Sequence, residues 1–282
     1  MRGHLPEGLG NKPVALLTSR DLRSWRDALV SHLAPASVNR TCAAFKAALN
    51  LVADHDEAIG NRRAWETGLG SIPDAEEARN VILTDDVVRR VIAEAYRQGE
   101  PFGLLVDVAA VTGARVSQLA RTEVQDAQLD RDDPRLMIPS SRKGRSSKKP
   151  MRRPVPLPTS LASRLRAVVA GRAGTTPLLV KQTGAPWKKS DHSRLFGRAA
   201  RGAGQNPSEV TIYALRHSSI VRQLLAGVPV RIVAANHDTS VTMLERTYSR
   251  HIGDHSDALA RAGLLDTAPE QPPGNKVVPL RP

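Results

Sequence analysis

At 282 residues the chain is long enough for two modest domains, and 40% hydrophobic with 24% charged residues is the composition of a folded protein. A net charge of +13 and a pI near 10.6 point to a polyanionic partner, nucleic acid before an anionic membrane surface. No apolar run reaches the roughly 18 residues of a membrane span. The opening residues lack a signal-peptide core, and the single Cys42 excludes an internal disulfide and a cysteine-based zinc cluster, so the chain reads as cytoplasmic.

Residues 1–17 contain Gly and Pro without a period and read as a flexible lead-in. Leu22, Trp25, Leu29 and Leu33 then share one helical stripe, capped by Thr18 or Ser19, with Asp21 in the first turn and Pro35 at the end. Ser37 caps a second helix whose inner face is Val38, Cys42, Phe45, Leu49 and Val52; Arg40 and Lys46 lie on its other face. A short third helix is expected around Trp65. Residues 18–72 therefore form a small all-helical domain whose basic faces are either a solvated surface or a contact for a nucleic-acid backbone. Residues 73–83 read as a linker.

Thr84 opens the larger domain, 84–265, with TDDVVRRVIAEAYRQG as an amphipathic helix. PFGLLVDVAAVTG is apolar nearly all round and predicts a central buried helix ended by Gly113. Arg115 follows at once, either a functional cation or half of a buried ion pair; VSQLARTEV resumes as helix. In residues 134–157 the short apolar pieces LMI and VPL flank a polar centre, predicting a β-hairpin. Its tip carries Arg142, Lys143, Arg145, Lys148, Lys149, Arg152 and Arg153, with no acid between them. TSLASRLRAVVAG reads as a helix, PLLV as a short strand, and Ser190 caps another basic helix. The proline-rich residues 266–282 read as a disordered tail. The fold class is mainly α with a small β-hairpin or sheet, the larger domain being α+β.

The stretch 211–251 holds two of the three tyrosines, Tyr213 and Tyr248, among cations. Positive surroundings favour phenolate and the anionic transition state of a reaction at phosphate. Taken singly, Tyr213 fits a core aromatic near Ile212, Leu215 and Val221, and Tyr248 fits a packing stripe with Val241 and Leu244. Asp and Glu do not cluster as two-metal nucleases require, and neither a Walker-type loop nor a dinucleotide fingerprint occurs.

Three separated elements, TGARVSQLAR around Arg115, RKG around Lys143, and YALRH leading on to Tyr248, need one explanation. Over roughly residues 20–252 the chain resembles the tyrosine recombinases, the family of phage integrases. The family's first arginine sits in a T-G-x-R-x-x-E/Q-L type sequence, matching Thr112, Gly113, Arg115 and Leu119. Its lysine lies on a β-hairpin, matching Lys143. Its His/Tyr-x-x-Arg box matches Tyr213 and Arg216, and its nucleophile near the C-terminus matches Tyr248.

The resemblance implies a two-domain DNA clamp: a helical core-binding domain (18–72) and a catalytic domain (84–265). It implies cleavage and rejoining of double-stranded DNA through a 3′-phosphotyrosyl intermediate, with neither metal nor ATP, by a homotetramer on DNA. The source would be a phage or another mobile element, and the protein would work at the nucleoid. Arg115 and Arg216 would grip the non-bridging oxygens, Lys143 would protonate the departing 5′-oxygen, and Tyr213 would assist at the phosphate. DNA contacts are expected from Arg40, Lys46, Arg142, Arg145, Lys148 and Lys149. The alternative is a catalytically silent DNA-binding protein that keeps the fold. Three departures stand out. Tyr213 replaces the histidine of many relatives. Gln118 stands where an acid or amide is found. The third histidine usually lies nine positions before the nucleophile, whereas His237 lies eleven before it and Thr239 holds the ninth; both are candidates for that place, with His251 a third.

Overall fold

The computed structural model describes residues 4–73, 75, 80–141, 151–253, 257, 260, 261 and 263–265. The chain divides into two compact units, Met1–Arg79 and Asn80–Pro282.

In the first unit, α1 (Glu7–Gly10), α2 (Ser19–Leu29), α3 (Pro35–His55) and α4 (Arg62–Gly68) surround a core that includes Leu22, Trp25, Phe45, Leu49 and Trp65. The start of α2 has a reciprocal cap: Asp21 N donates to Thr18 Oγ1 (3.2 Å) and Thr18 N donates to Asp21 Oδ2 (3.0 Å). Pro35 does more than end the preceding segment. It is the first residue of α3, with Ala34 as N-cap, because a first-turn position needs no amide donor. Residues 4–17 hold more structure than their lack of period suggests. Leu17 is buried, Leu5, Leu9 and Val14 pack on the core, and Trp25 Nε1 donates to the His4 carbonyl (2.7 Å). Arg40 is exposed and Lys46 half-buried, both on α3.

The second unit begins with α5 (Asp85–Arg97), the buried α6 (Glu100–Thr112) and the short α7 (Val116–Leu119). Gly103 lets α5 and α6 touch, since a Cβ there would fall 2.2 Å from the Tyr96 ring. A three-stranded antiparallel sheet follows: β1 (Ala127–Gln128), β2 (Arg135–Pro139) and β3 (Arg152–Pro156), in that order. The predicted hairpin is β2–β3, with Leu136 opposite Val155. The strand expected at PLLV is reduced to isolated bridges, Glu123 with Pro177 and Val180 with Pro186. Helices α8 (Thr159–Val169) and α9 (Asp191–Gly202) complete a core with α5, α6 and the sheet. Then α10 (Tyr213–Leu225), α11 (Val230–Asn236) and α12 (Val241–Gly253) enclose a second cluster: Ile220, Val221, Leu224, Val233, Ala234, Leu244 and Tyr248. No helix among the described residues is long and apolar enough to cross a membrane.

Arg142, Lys143, Arg145, Lys148 and Lys149 lie outside the described residues, as do 266–282 and most of the linker segment 74–79. Arg152 and Arg153, read from sequence as tip cations, turn out to be structural. Arg152 pairs with Asp126 and, at 3.1 Å, with Glu123, while Arg153 donates to the Ala235 carbonyl. Their acidic and carbonyl partners come from distant positions, so the local run of cations gave no sign of them.

Candidate active site

The site is built where the end of α6 meets α10 and the α11–α12 turn. Gly113 takes a left-handed φ of +60° and closes α6. A side chain there is barred twice, by that conformation and by space, since a Cβ would lie 2.5 Å from the His237 ring and 3.0 Å from Ser219 Oγ. The turn delivers Arg115 as N-cap of α7. Its Nη1 donates to Ser141 Oγ (2.9 Å) and the Asp238 carbonyl (3.3 Å) and stands 3.5 Å from the Asp238 carboxylate. Arg115 is thus ion-paired and also lines an open pocket.

Arg216 lies on the buried face of α10 and is 4% exposed. Its Nη1 donates to the Gly113 carbonyl (2.8 Å) and its Nη2 to the His237 carbonyl (2.5 Å), so two backbone groups fix the guanidinium plane. Burial, and then the like charge of Arg115, lower its pKa, though not enough to cost it its charge at neutral pH. Tyr213, one turn earlier, is 43% exposed, with its ring centroid 6.0 Å from the Arg216 Cζ.

Asp238 joins these groups. It follows the end of α11 with a φ of +49°, the described non-glycine residue in the left-handed region. Its carboxylate accepts from Ser141 N (2.7 Å) and Gln118 Nε2 (3.2 Å) and faces Arg115 and Arg153. Burial alone would raise its pKa; the bonds from Ser141 and the charges of Arg153 and Arg115 outweigh burial and hold it below the usual carboxylate value. Gln118 also donates to the Pro139 carbonyl (2.9 Å), tying α7 to the end of β2. An amide at 118 and a carboxylate at 238 thus act as one unit, a combination that the sequence pattern did not suggest.

His237 is turned inward and is 1% exposed. Its Nδ1 meets the Val233 carbonyl (2.9 Å), which can only accept; Nε2 is then free to accept from Ser219 Oγ (3.0 Å). Burial lowers its pKa to about 4, so it is neutral. Thr239 instead lines an open pocket of about 670 Å³, together with Arg115, Ser117, Arg121, Ser141, Asp238, Ser240 and Met243. On that wall two guanidiniums and the hydroxyls of Ser117, Ser141, Thr239 and Ser240 outweigh the single carboxylate of Asp238, which leaves a surface for an anion.

Tyr248 lies beneath α10, 4% exposed, packed in the cluster with Leu244. Its hydroxyl is 2.5 Å from Nδ1 of His217. Burial raises its pKa to about 12, against the pull of Arg216 and Arg115. His217 stacks edge-on to Tyr213 (centroids 5.0 Å apart) on one side and tilts over Tyr248 (5.7 Å) on the other. The structure therefore gathers Arg115, the Tyr213–Arg216 pair and Tyr248 from three separated stretches, with the His237 carbonyl bound to Arg216. His217 was not a sequence candidate; its signal was its place one turn after Tyr213 and next to Arg216 in YALRH.

The profile of the phage integrase family matches residues 82–252, and the chain belongs to that family. Curated relatives include the tyrosine recombinase XerA of Pyrococcus furiosus, 24% identical over 65% of this chain and 62% of the relative. The tyrosine recombinase XerA of Thermococcus kodakarensis is 28% identical over 54% of this chain and 51% of the relative. The matched stretch thus spans less than two thirds of these relatives. Among solved structures, the Tn1549 transposon integrase in complex with transposon right end DNA superimposes with a TM-score of 0.68 at 18% identity, covering 92% of this chain and 90% of the other. A lambda integrase fragment, a dimer bound to a core site, gives 0.63 at 19% identity, covering 86% and 85%. A lambda integrase tetramer bound to a Holliday junction gives 0.63 at 18% identity, covering 86% of this chain and 68% of the other. The likeness to these structures is one of fold.

Proposed function

We propose that the protein is a tyrosine-type site-specific recombinase that breaks and rejoins DNA. The observation that carries this reading is that one unit sets Arg115 on the wall of an open pocket, anchors the buried Arg216 on the neighbouring Gly113 and His237 carbonyls, and holds the buried Tyr248 within the electrostatic reach of both arginines. In this reading the Tyr248 oxygen attacks a DNA phosphorus, the bond to the 5′-oxygen breaks, and a 3′-phosphotyrosyl link keeps the energy needed for rejoining. Arg115 and Arg216 stabilise the charge on the non-bridging oxygens, and Lys143 supplies the proton that the 5′-oxygen takes up. Thr239, on the pocket wall, takes the place at the phosphate that His237 cannot reach from below.

The unit containing Arg40 and Lys46 serves as the core-binding domain, the unit from residue 84 as the catalytic domain, and the tip cations Arg142, Arg145, Lys148 and Lys149 as backbone contacts. The two units clamp duplex DNA, and four copies assemble on it, as in the lambda integrase tetramer. The protein works at the nucleoid of its host.

The test uses duplexes selected from a random pool for binding by the full chain, nicked so that a cut strand is lost. The expected result is a protein–DNA adduct that survives denaturant, absent with Tyr248→Phe. Bound DNA without an adduct would leave a silent DNA-binding protein.

A further inference from the structure

We propose that His217 is the proton acceptor for Tyr248 in the cleavage step. The inference rests on the reading of Tyr248 as the nucleophile.

The geometry is that of a nucleophile and its base. Nδ1 of His217 lies 2.5 Å from the Tyr248 hydroxyl, inside hydrogen-bond reach, and both side chains are nearly excluded from solvent. A phenol donates one proton; an unprotonated imidazole nitrogen accepts it. Tyr213, which holds the family's histidine position, is a phenol and by chemistry a far weaker base than an imidazole. Its ring instead packs against the edge of His217 and helps to fix the imidazole plane. The two tyrosines thus flank one histidine.

In the free protein the electrostatics keep the shared proton on the phenol. Burial, then the charge of Arg216 and of His251, hold His217 at a pKa of about 4, so in free protein it is neutral and able to accept. A phosphodiester docked on Arg115 and Arg216 brings a negative charge that offsets those cations and raises the basicity of His217 when it is needed. The step balances. The Tyr248 oxygen forms a bond to phosphorus, its proton passes to Nδ1 of His217, and the phosphorus–O5′ bond breaks with a proton supplied to O5′ by the group on the other side. On rejoining, His217 returns its proton to the departing phenolate.

The test compares adduct formation by the full chain and by His217→Asn, His217→Ala and Tyr248→Phe on the selected nicked duplexes. Asn places an amide oxygen near the Nδ1 position, so it can hold the phenol but cannot take its proton. The expected result is a loss of about 100-fold or more in both His217 variants, with DNA binding kept and with added imidazole restoring part of the His217→Ala rate. Adduct formation at the wild-type rate in His217→Asn would overturn the proposal, and so would a faster rate in either variant, which would make the contact a latch. Where His217→Ala fails to fold, His217→Asn decides. No adduct from the wild-type chain would sink the recombinase reading, and this proposal with it; a wild-type adduct with unimpaired His217 variants sinks this proposal alone.

Discussion

The carboxylate of Asp238 stands 3.5 Å from Nη1 of Arg115 and holds that guanidinium on the wall of the pocket. The same carboxylate faces Arg153 and accepts from Gln118 and Ser141, so one acid organises the end of β2, the start of α7 and the α11–α12 turn. Asp238→Asn keeps the shape and tolerates the left-handed backbone, but leaves two arginines without their anion. We expect a stability loss of about 1–3 kcal/mol in urea unfolding and adduct formation slower by about 10- to 100-fold, because Arg115 is no longer fixed. Affinity for DNA should not fall, since the change removes a negative charge.

Gly113→Ala should be among the most damaging small substitutions. It places a Cβ against the His237 ring in a backbone conformation that L side chains rarely adopt, and it moves the carbonyl that anchors Arg216. A loss of about 2–4 kcal/mol is expected from strain and overpacking together, and adduct formation should fall in protein that remains folded at low temperature.

His217 and His237 are buried and neutral, each held at a pKa of about 4 against an ordinary 6.5. The unfolded chain therefore binds protons in this interval that the folded chain does not. Stability falls as pH drops from about 6.5 to about 4, by a few kcal/mol per histidine at most. The groups facing His217 are Tyr213 and Arg216 on its own helix and Tyr248 and His251 on α12. Urea unfolding between pH 4 and 7.5 should show this slope, and His237→Gln should reduce it by about one proton.

Thr239→Val removes only a hydroxyl from the pocket wall. Stability should change by less than about 0.5 kcal/mol, while adduct formation slows by about 10-fold or more, as for loss of one hydrogen-bonding group at a developing charge. An unchanged rate would return the third-histidine place to another residue.

The helices with an apolar stripe were legible because their residues repeat every turn: Leu22, Trp25 and Leu29 in α2, and Val88, Val91 and Ala95 in α5, are buried as their spacing demands. Arg115, Tyr213, Arg216 and Tyr248 were candidates through their order along the chain, and the fold brings them near one another. The two groups that sequence reading missed both depend on packing between elements. His217 meets Tyr248 only because α12 lies on α10, 31 residues away. Asp238 reaches Arg115 only because the end of α11 enters a left-handed turn, for which an Asp gives a weak signal beside Gly or Asn. Likewise, Arg152 looked solvated until the fold supplied Asp126 and Glu123.

The proposed function stands on the covalent joining of Tyr248 to DNA. The most direct measurement is mass spectrometry of the protease-digested adduct formed on a selected, nicked duplex. The expected product is a nucleotide-bearing peptide whose modified residue is Tyr248. An adduct located on any other side chain, or none at all from DNA that the protein demonstrably binds, would contradict it.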